Sequence, residues 1–284
     1  MPKESAESSE HMGPMPKKVD LKVKHVVLVL SGKGGVGKTT VAVNLAVALA
    51  THGYRTGLLD LDIHGPDVPK MLGLEGAKLV AYEKAGIEPV RARENLSVVS
   101  MEFLLESPSS AVIWRGPMKM GAIRQFLEDV HWGDLDFLVV DLPPGTGDEV
   151  LTIAQIAPHI SGVVVVTTPQ EVSILDITKA VHFAERLDLP VLGIIENMSG
   201  LICPHCGKTI DLFGSGGGKR AAAKLNVPFL GSIPLDPAMS RAGDEGRPYI
   251  LASEKEGEPH PAKERLYEIM ENLVKIAGED TKEQ

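Results

Sequence analysis

A glycine-rich segment at residues 31–40 carries the residues best suited to chemistry. It reads Ser-Gly-Lys-Gly-Gly-Val-Gly-Lys-Thr-Thr and directly follows an apolar run at 26–30. Two motifs overlap here: the dinucleotide fingerprint G-x-G-x-x-G, and the phosphate-binding P-loop G-x-x-x-x-G-K-T, which runs from Gly32 to Thr39. Asp60 stands where a ribose-binding acid would complete the fingerprint. We favour the P-loop, because its match is longer and includes a lysine and a hydroxyl that the fingerprint does not need.

A P-loop binds nucleotide phosphates because its backbone N–H groups, at the start of a helix, surround the phosphate oxygens. Lys38 would neutralise charge on the β- and γ-phosphates of ATP, and the Thr39 hydroxyl would be a ligand of Mg²⁺. The predicted nucleotide-binding residues of this loop are Gly32, Lys33, Gly34, Gly35, Val36, Gly37, Lys38, Thr39 and Thr40.

A second segment favours nucleotide hydrolysis. An apolar strand at 136–141 ends in Asp141 and leads into a loop rich in proline and glycine at 142–148. A carboxylate at this place can hold Mg²⁺ opposite the P-loop, and the peptide groups of the loop could respond to a γ-phosphate. An acidic residue that merely ends a buried strand is common, but the two motifs together predict an ATPase.

Cys203 and Cys206 form a C-x-x-C pair, which is compatible with three kinds of site. Two such pairs from two subunits would supply the four thiolates of a 4Fe–4S cluster. The same four thiolates could bind Zn²⁺ structurally. The pair could also be a thiol–disulfide redox couple. His205 is treated as a neighbour of these thiols, and the spacing alone does not separate the three interpretations.

The composition limits the class of protein. The chain has 284 residues, a net charge of −9 and 4% aromatic residues, which argues against nucleic acid as a partner. No apolar run is long enough to cross a bilayer, and residues 1–24 lack the apolar core of a signal peptide. We therefore expect a cytoplasmic protein without a membrane partner. Two cysteines cannot make a disulfide framework, and in the cytoplasm a close pair is more typical of a metal or redox site.

Short runs rich in valine and isoleucine alternate with helical stretches and would position these residues. The alternation predicts an α/β fold, a single P-loop NTPase domain with a mostly parallel central sheet flanked by helices. The predicted strands lie at 26–31, 56–61, 96–100, 136–141, 162–168, 191–196 and 228–233. The predicted helices include 39–52, 171–187 and 215–225. Apolar residues on one face of the first helix are Val41, Leu45, Ala48 and Leu49, and Gly53 is expected to follow its end.

The same pattern predicts the domain organisation. We expect a disordered N-terminal tail at 1–24 and an ATPase domain at 25–277. Within the domain, the glycine-rich segment 198–220 carries both cysteines and interrupts the alternation, which is typical of an inserted functional loop. Residues 278–284 would be a C-terminal tail.

Lys33 places a second lysine inside the P-loop. With it, residues 32–40 resemble the deviant Walker A motif of the group that includes MinD, ParA and the nitrogenase iron protein. In that group the early lysine reaches across a nucleotide-sandwich dimer to the phosphates of the partner. The resemblance therefore implies a homodimer and a catalytic role for Lys33 together with Lys38. A cation supplied in trans stabilises transition-state charge, as an arginine finger does.

Further segments resemble the Mrp/ApbC branch of this group, the iron–sulfur cluster carrier ATPases. They are 58–69, 114–118, 141–148, 196–199 and 233–237, and the resemblance spans about 25–275. It implies that Asp62 is the catalytic, water-orienting carboxylate and that Asp60 lies near Mg²⁺. It also implies that Asn197 contacts the adenine, and that Pro234 and Asp236 belong to a second base-contacting loop.

Members of this branch carry a Cys pair at the same place, after Asn-Met-Ser. The resemblance therefore favours a 4Fe–4S cluster that bridges two subunits, with Zn²⁺ as a possible substitute. It implies an ATP-dependent carrier or scaffold that uses ATP and Mg²⁺ and transfers the cluster to apo iron–sulfur proteins.

Two other functions stay open, a spatial-organisation ATPase like MinD or ParA and an ATP-linked electron-transfer protein. The first would need a surface for membrane or DNA. A C-terminal helix has the apolar stripe Leu266, Ile269, Met270, Leu273 and Ala277. Its polar face has no net charge, whereas a membrane-surface helix should be basic, so we expect it to pack on the domain. Electron-transfer proteins of the nitrogenase type have cysteines far apart in sequence, unlike this adjacent pair.

Overall fold

The structure is a computed structural model that describes residues 18–63, 65–82, 86–105, 116–145, 147–203, 206, 208–251 and 260–280. Its strands are β1 (Val23–Leu30), β2 (Thr56–Asp60), β3 (Val80–Tyr82), β4 (Gly86–Glu88), β5 (Val90–Arg93), β6 (Leu96–Ser100), β7 (Leu135–Asp141), β8 (Ile160–Thr167), β9 (Val191–Glu196), β10 (Leu201–Ile202), β11 (Thr209–Ile210) and β12 (Phe229–Ser232). Its α-helices are α1 (Lys38–Thr51), α2 (Val68–Met71), α3 (Gly116–Glu128), α4 (Asp148–Ile156), α5 (Val172–Arg186), α6 (Gly217–Leu225), α7 (Pro237–Asp244) and α8 (Pro261–Asp280). Two 3₁₀ turns lie at Met101–Leu104 and Tyr249–Leu251.

Eight strands form the central sheet in the order β12-β9-β8-β1-β7-β2-β6-β5. Every pair in it is parallel except β5 with β6 at one edge. The seven predicted strands are confirmed to within three residues at each end, with the largest difference at the start of β1, and the mostly parallel α/β fold is confirmed as well. The short strands β3, β4, β10 and β11 form two separate hairpins that the apolar pattern did not predict.

Helices cover both faces of the sheet. Alternate residues of β1 enter opposite cores: Val27 and Val29 pack with α1, α2, α7 and α8, whereas Val26 and Leu28 pack with α3, α4, α5 and α6. A parallel strand that is covered on both faces must be apolar at successive positions, because neither set of side chains meets water. This burial explains the continuous valine and leucine runs of the sequence.

Helix α1 is buried more completely than its sequence pattern predicted. Every residue from Val41 to Ala50 is buried, so the expectation of a single apolar face was too narrow. The cause is α8, which packs across α1 and buries the side that a surface helix would expose. The predicted apolar stripe of α8 is confirmed, since all five of its residues lie in the same core. Gly53 follows α1 with a left-handed φ of 87°, as expected.

The domain boundaries differ from the predicted ones. Val19 and Leu21 are buried, and the N–H of Val19 donates to the carbonyl oxygen of Ile156 at 2.9 Å. The ordered domain therefore begins before the predicted residue 25, because the segment around Val19 and Leu21 packs beside the end of α4. Residues 1–17 of the predicted N-terminal tail lie outside the described residues. Helix α8 runs to Asp280, three residues past the predicted end at 277, and residues 281–284 lie outside the described part.

No helix within the described ranges combines the length and the hydrophobicity that crossing a membrane would require.

Candidate nucleotide and cysteine sites

The candidate site lies at the carboxyl ends of the central strands. β1 pairs with β7 on one side and with β8 on the other. The chain continues from β1 toward one edge of the sheet and from β8 toward the opposite edge, which makes this position a topological switch point. In open α/β sheets, ligands bind in the crevice at such a point. The P-loop follows β1, and β2, β7 and β9 end at Asp60, Asp141 and Glu196. The parallel register thus brings together groups that are far apart in sequence.

The P-loop needs glycine at particular positions. Gly35 and Gly37 have left-handed φ angles of 77° and 79°, which residues with a Cβ adopt only with strain. A Cβ on Gly37 would also lie 2.3 Å from the Asn197 Nδ2 atom. Gly32 is constrained by space, because a Cβ there would lie 2.5 Å from that of Asp176. The loop therefore holds its backbone close to neighbouring elements at the start of α1.

Lys38 and Thr39 both contact Asp141. The Lys38 ammonium donates to Asp141 Oδ1 at 2.6 Å, and the Thr39 hydroxyl donates to Oδ2 at 2.7 Å. Asp141 has no exposed surface, and burial raises its pKa against the opposing effect of Lys38. The two predicted motifs, P-loop and strand-end acid, therefore meet through direct hydrogen bonds.

A second buried carboxyl group lies beside the first. Asp60 is paired with Asp141 in the register of β2 and β7. It accepts hydrogen bonds from the Ser100 hydroxyl at 2.8 Å and the Asp62 N–H at 3.1 Å. Burial and the charge of Asp141 raise the pKa of Asp60 well above its usual range. Two buried carboxyl groups and the Thr39 hydroxyl are hard oxygen donors, the type of ligand that Mg²⁺ prefers, so these residues fit that ion.

Two adjoining cavities form a groove along the P-loop. One has a volume of about 240 Å³ and is lined by the P-loop and by Asp62. The other has a volume of about 350 Å³ and is lined by Asn197, Pro234 and Asp236, among others. Gly37 borders both cavities. The structure thus places the predicted phosphate-binding and base-contacting residues along one continuous groove.

The polar groups of the second cavity already have partners in the protein. The Asn197 side chain is buried, and its Nδ2 donates to the carbonyl oxygen of Val36 at 2.9 Å. Asp236 accepts from the N–H of Ala238 at 2.8 Å, which caps α7, and from the Tyr249 hydroxyl. Asp236 therefore shapes the groove by fixing its loop, with both carboxylate oxygens in use.

Lys33 has a different hydrogen-bond partner from Lys38. Its side chain is half-buried, and its ammonium donates to Gln170 Oε1 at 3.3 Å. Gln170 lies in the turn between β8 and α5. The ammonium groups of the two loop lysines therefore contact different elements, Lys33 the turn before α5 and Lys38 the end of β7.

The cysteines lie on the hairpin formed by β10 and β11. The N–H of Cys203 donates to the carbonyl oxygen of Lys208 at 2.9 Å, and Cys206 lies between these two residues in the chain. Cys203 is half-buried and Cys206 is exposed, and neither forms a disulfide. Within the described ranges, no group of three or more His, Cys, Asp or Glu side chains converges on a metal position.

The sequence pattern assigned no role to three residues that bind groups at the site. Ser100 and Gln170 bind Asp60 and Lys33, but serine and glutamine at the ends of strands or in turns are too common to single out. Glu196 had a signal, because it ends an apolar strand as Asp141 does. Parts of the quoted motifs lie outside the described residues: His64, Trp114, Arg115, Thr146, Pro204, His205 and Gly207.

Comparison with protein families decides the class. The family model described as ParA: NUBPL iron-transfer P-loop NTPase matches residues 22–274. The chain belongs to this family. Membership confirms the resemblance to the MinD and ParA group and the class of P-loop NTPase.

Curated relatives of this iron-transfer P-loop NTPase share about half of its residues. A protein of Methanocaldococcus jannaschii named iron-sulfur cluster carrier protein is 51% identical over 258 residues, which cover 90% of this chain and 87% of the relative. A protein of the same name from Saccharolobus solfataricus is 46% identical over 262 residues, covering 91% and 87%.

Solved structures resemble the NTPase over most of its length. A nucleotide-binding protein of Archaeoglobus fulgidus, solved in complex with ADP, is 39% identical with a TM-score of 0.72, covering 85% of this chain and 95% of that one. The cell division ATPase MinD of Pyrococcus furiosus is 24% identical with a TM-score of 0.63, covering 89% and 99%. At that identity the likeness to MinD shows the fold alone.

Proposed function

We propose that this protein is an ATP-dependent carrier that binds a 4Fe–4S cluster between two subunits and transfers it to apo iron–sulfur proteins. The observation that carries the proposal is the placement of the Cys203 and Cys206 hairpin next to a P-loop groove, in a chain of the iron-transfer family. The names of the curated relatives support it over a spatial-organisation or electron-transfer role.

The groove is suited to hold and hydrolyse ATP. The P-loop N–H groups and Lys38 would bind the phosphates, and Asn197 and the loop around Pro234 would bind the base. Thr39, Asp60 and Asp141 would hold Mg²⁺, which supplies positive charge to the phosphates when it is bound. Asp62 is buried at the P-loop cavity and would orient the attacking water. The complex of the Archaeoglobus relative with ADP supports nucleotide binding by this protein.

The cluster is cargo, and each chain supplies half of its ligands. The sequence has two cysteines, whereas a 4Fe–4S cluster takes four thiolates, so two copies complete the set. Side chains at the end of β11 and just after it are apolar and exposed: Ile210 at 44%, Leu212 at 52% and Phe213 at 39%. Such a surface suits contact with a second protein surface. In the dimer, Lys33 would reach the nucleotide of the partner and stabilise transition-state charge.

Anaerobic reconstitution with iron and sulfide tests this function. The wild type should bind about four iron atoms per two chains and show the brown absorbance of a cluster. It should pass the cluster to an apo-ferredoxin and hydrolyse ATP. Cys203→Ala and Cys206→Ala should abolish iron binding, whereas Lys208→Ala, a control on the exposed side of the same hairpin, should retain it. A colourless wild type, or one that binds Zn²⁺ in place of iron, would contradict the proposal.

A further inference from the structure

We propose that Glu196 is a positioning residue that holds both ends of the Cys-bearing segment and links them to the nucleotide groove. This inference rests on the proposed function, because it takes Cys203 and Cys206 as the cluster ligands and the groove as the nucleotide site. It assigns a task to a buried acid that neither phosphate binding nor hydrolysis uses.

The carboxylate of Glu196 has no exposed surface and accepts three hydrogen bonds. The Ser199 hydroxyl donates to Oε1 at 2.5 Å, and the N–H of Gly216 donates to the same oxygen at 3.0 Å. The N–H of Gly218 donates to Oε2 at 2.6 Å. Ser199 precedes the Cys hairpin and the two glycines follow it. The Glu196 side chain therefore holds the two ends of the segment 199–218 next to each other.

The glycines make this arrangement possible. Gly216 has a left-handed φ of 72°, and a Cβ on Gly217 would lie 2.1 Å from the carbonyl oxygen of Pro169. The segment 216–218 begins α6, whose first N–H groups lack partners within the helix. The Glu196 carboxylate satisfies two N–H groups there and complements the positive end of the helix.

The next residue along the chain faces the nucleotide groove. Asn197 lines the larger cavity and donates to the carbonyl oxygen of Val36 in the P-loop. Met198 lines the same cavity and has a left-handed φ of 58°, a strained conformation for a residue that carries a Cβ. A molecule that fills this cavity therefore contacts the residues between Glu196 and Ser199.

The groove wall and the hairpin also share backbone hydrogen bonds. The N–H of Ser199 donates to the carbonyl oxygen of Ile233 at 2.9 Å, and the N–H of Leu235 donates to that of Gly200 at 2.8 Å. Leu235 lines the cavity, and Gly200 immediately precedes β10. A nucleotide that contacts residues 197–198 and 234–235 would therefore shift the backbone at Ser199 and Gly200, where the hairpin begins. Glu196 binds both Ser199 and Gly216, so the same shift would reach the chain that follows the hairpin.

A purely structural cap at α6 would also explain these hydrogen bonds, so the test must measure coupling between the two sites. Cys203 and Cys206 are the only cysteines of the chain, which makes the rate of thiol alkylation a specific probe of the hairpin. In the wild type without cluster, Mg-ADP should change this rate by about fivefold or more, the low end of ordinary coupling between sites. Glu196→Gln keeps one carbonyl oxygen but turns the other acceptor into a donor, and should reduce the ADP effect to less than about twofold.

The matched control is Glu185→Gln, on the exposed surface of α5, which should keep the wild-type ADP effect. The affinity of each variant for ADP is measured in parallel, and Glu196→Gln should stay within about threefold of wild type, since its carboxylate does not line the groove. If Glu196→Gln does not fold, Ser199→Ala removes one of the three hydrogen bonds and should at least halve the ADP effect.

The inference would be overturned if folded Glu196→Gln or Ser199→Ala protein showed the same ADP-dependent change in alkylation rate as the wild type. It would also be overturned if ADP left the alkylation rate of the wild type unchanged. These failures differ from failure of the proposed function. A wild type that binds iron but shows no ADP effect refutes the coupling alone. A wild type with the ADP effect that binds no iron refutes the carrier function and leaves the coupling standing.

Discussion

The ammonium group of Lys38 lies 2.6 Å from Oδ1 of Asp141, and both side chains are buried. This contact joins the P-loop to the end of β7. Removing one partner of a buried ion pair leaves the other without compensation.

Lys38→Met should therefore abolish ADP binding and lower the free energy of unfolding by about 3 kcal/mol. Titration calorimetry and urea denaturation measure the two effects. Lys179→Met, which removes an exposed lysine of α5, is the control and should change neither. If Lys38→Met bound ADP with wild-type affinity, Lys38 would not be the phosphate-binding lysine.

Gly37→Ala should destabilise the protein by about 1–3 kcal/mol, because alanine is strained at this φ and its Cβ would meet the Asn197 amide. Gly34→Ala is the matched control in the same loop: a Cβ there meets nothing within 4 Å, and its φ is not left-handed. Thermal and urea denaturation of the two variants make the comparison. Equal stability of the two would show that the P-loop does not hold the backbone described above.

Asp136 makes stability depend on pH in the acid range. Arg55, and then Lys24, hold the pKa of this carboxyl well below its usual range. Because the folded pKa lies below the unfolded value of about 3.9, the stabilisation is fully present above that value and is lost as the pH falls through the folded pKa.

Asp136→Asn should lower the free energy of unfolding at neutral pH and flatten its decline below about pH 4. Urea denaturation at a series of pH values measures both changes. Asp134→Asn alters a carboxylate that is 62% exposed and should leave the profile close to wild type. A wild-type acid profile in Asp136→Asn would contradict the assignment.

Tyr249→Phe tests how the base end of the groove is held. The hydroxyl of this buried residue donates to Asp236, whose other oxygen caps α7. Losing a hydrogen bond to a charged group should cost about 1.5–3 kcal/mol in the free energy of unfolding, and it should weaken ADP binding because the Asp236 loop lines the groove. Tyr82→Phe, at an exposed tyrosine, should change neither stability nor binding. If Tyr249→Phe bound ADP with wild-type affinity, the loop that carries Asp236 would not contribute to binding of the base.

Much of the fold and the P-loop could be predicted because their signals are local. The strands follow from runs of apolar residues, and the loop of residues 32–39 from one contiguous motif. The burial of α1 on all sides could not be predicted, because it depends on contact with α8, which lies more than 200 residues later in the chain. The buried segment around Val19 was missed because it is short, polar at alternate positions and without a periodic pattern.

The site was predictable only where a residue type is rare in its local setting. An aspartate that ends an apolar strand identifies Asp60 and Asp141, but their pairing follows from the order of the strands in the sheet. Ser100 and Glu196 acquire their roles through contacts with other elements, the first with β2 and the second with the start of α6. The hydrogen bond from the Tyr249 hydroxyl to Asp236 likewise depends on the fold, because it joins the loop before α7 to the 3₁₀ turn at Tyr249–Leu251.

The central claim is a 4Fe–4S cluster shared by two chains, and native mass spectrometry of the anaerobically reconstituted protein tests it most directly. The account predicts a mass equal to two chains plus one cluster of four iron and four sulfide, lost in Cys203→Ala and retained in Lys208→Ala. A cluster bound to a single chain, or a dimer of the wild type whose added mass is one zinc ion, would contradict it.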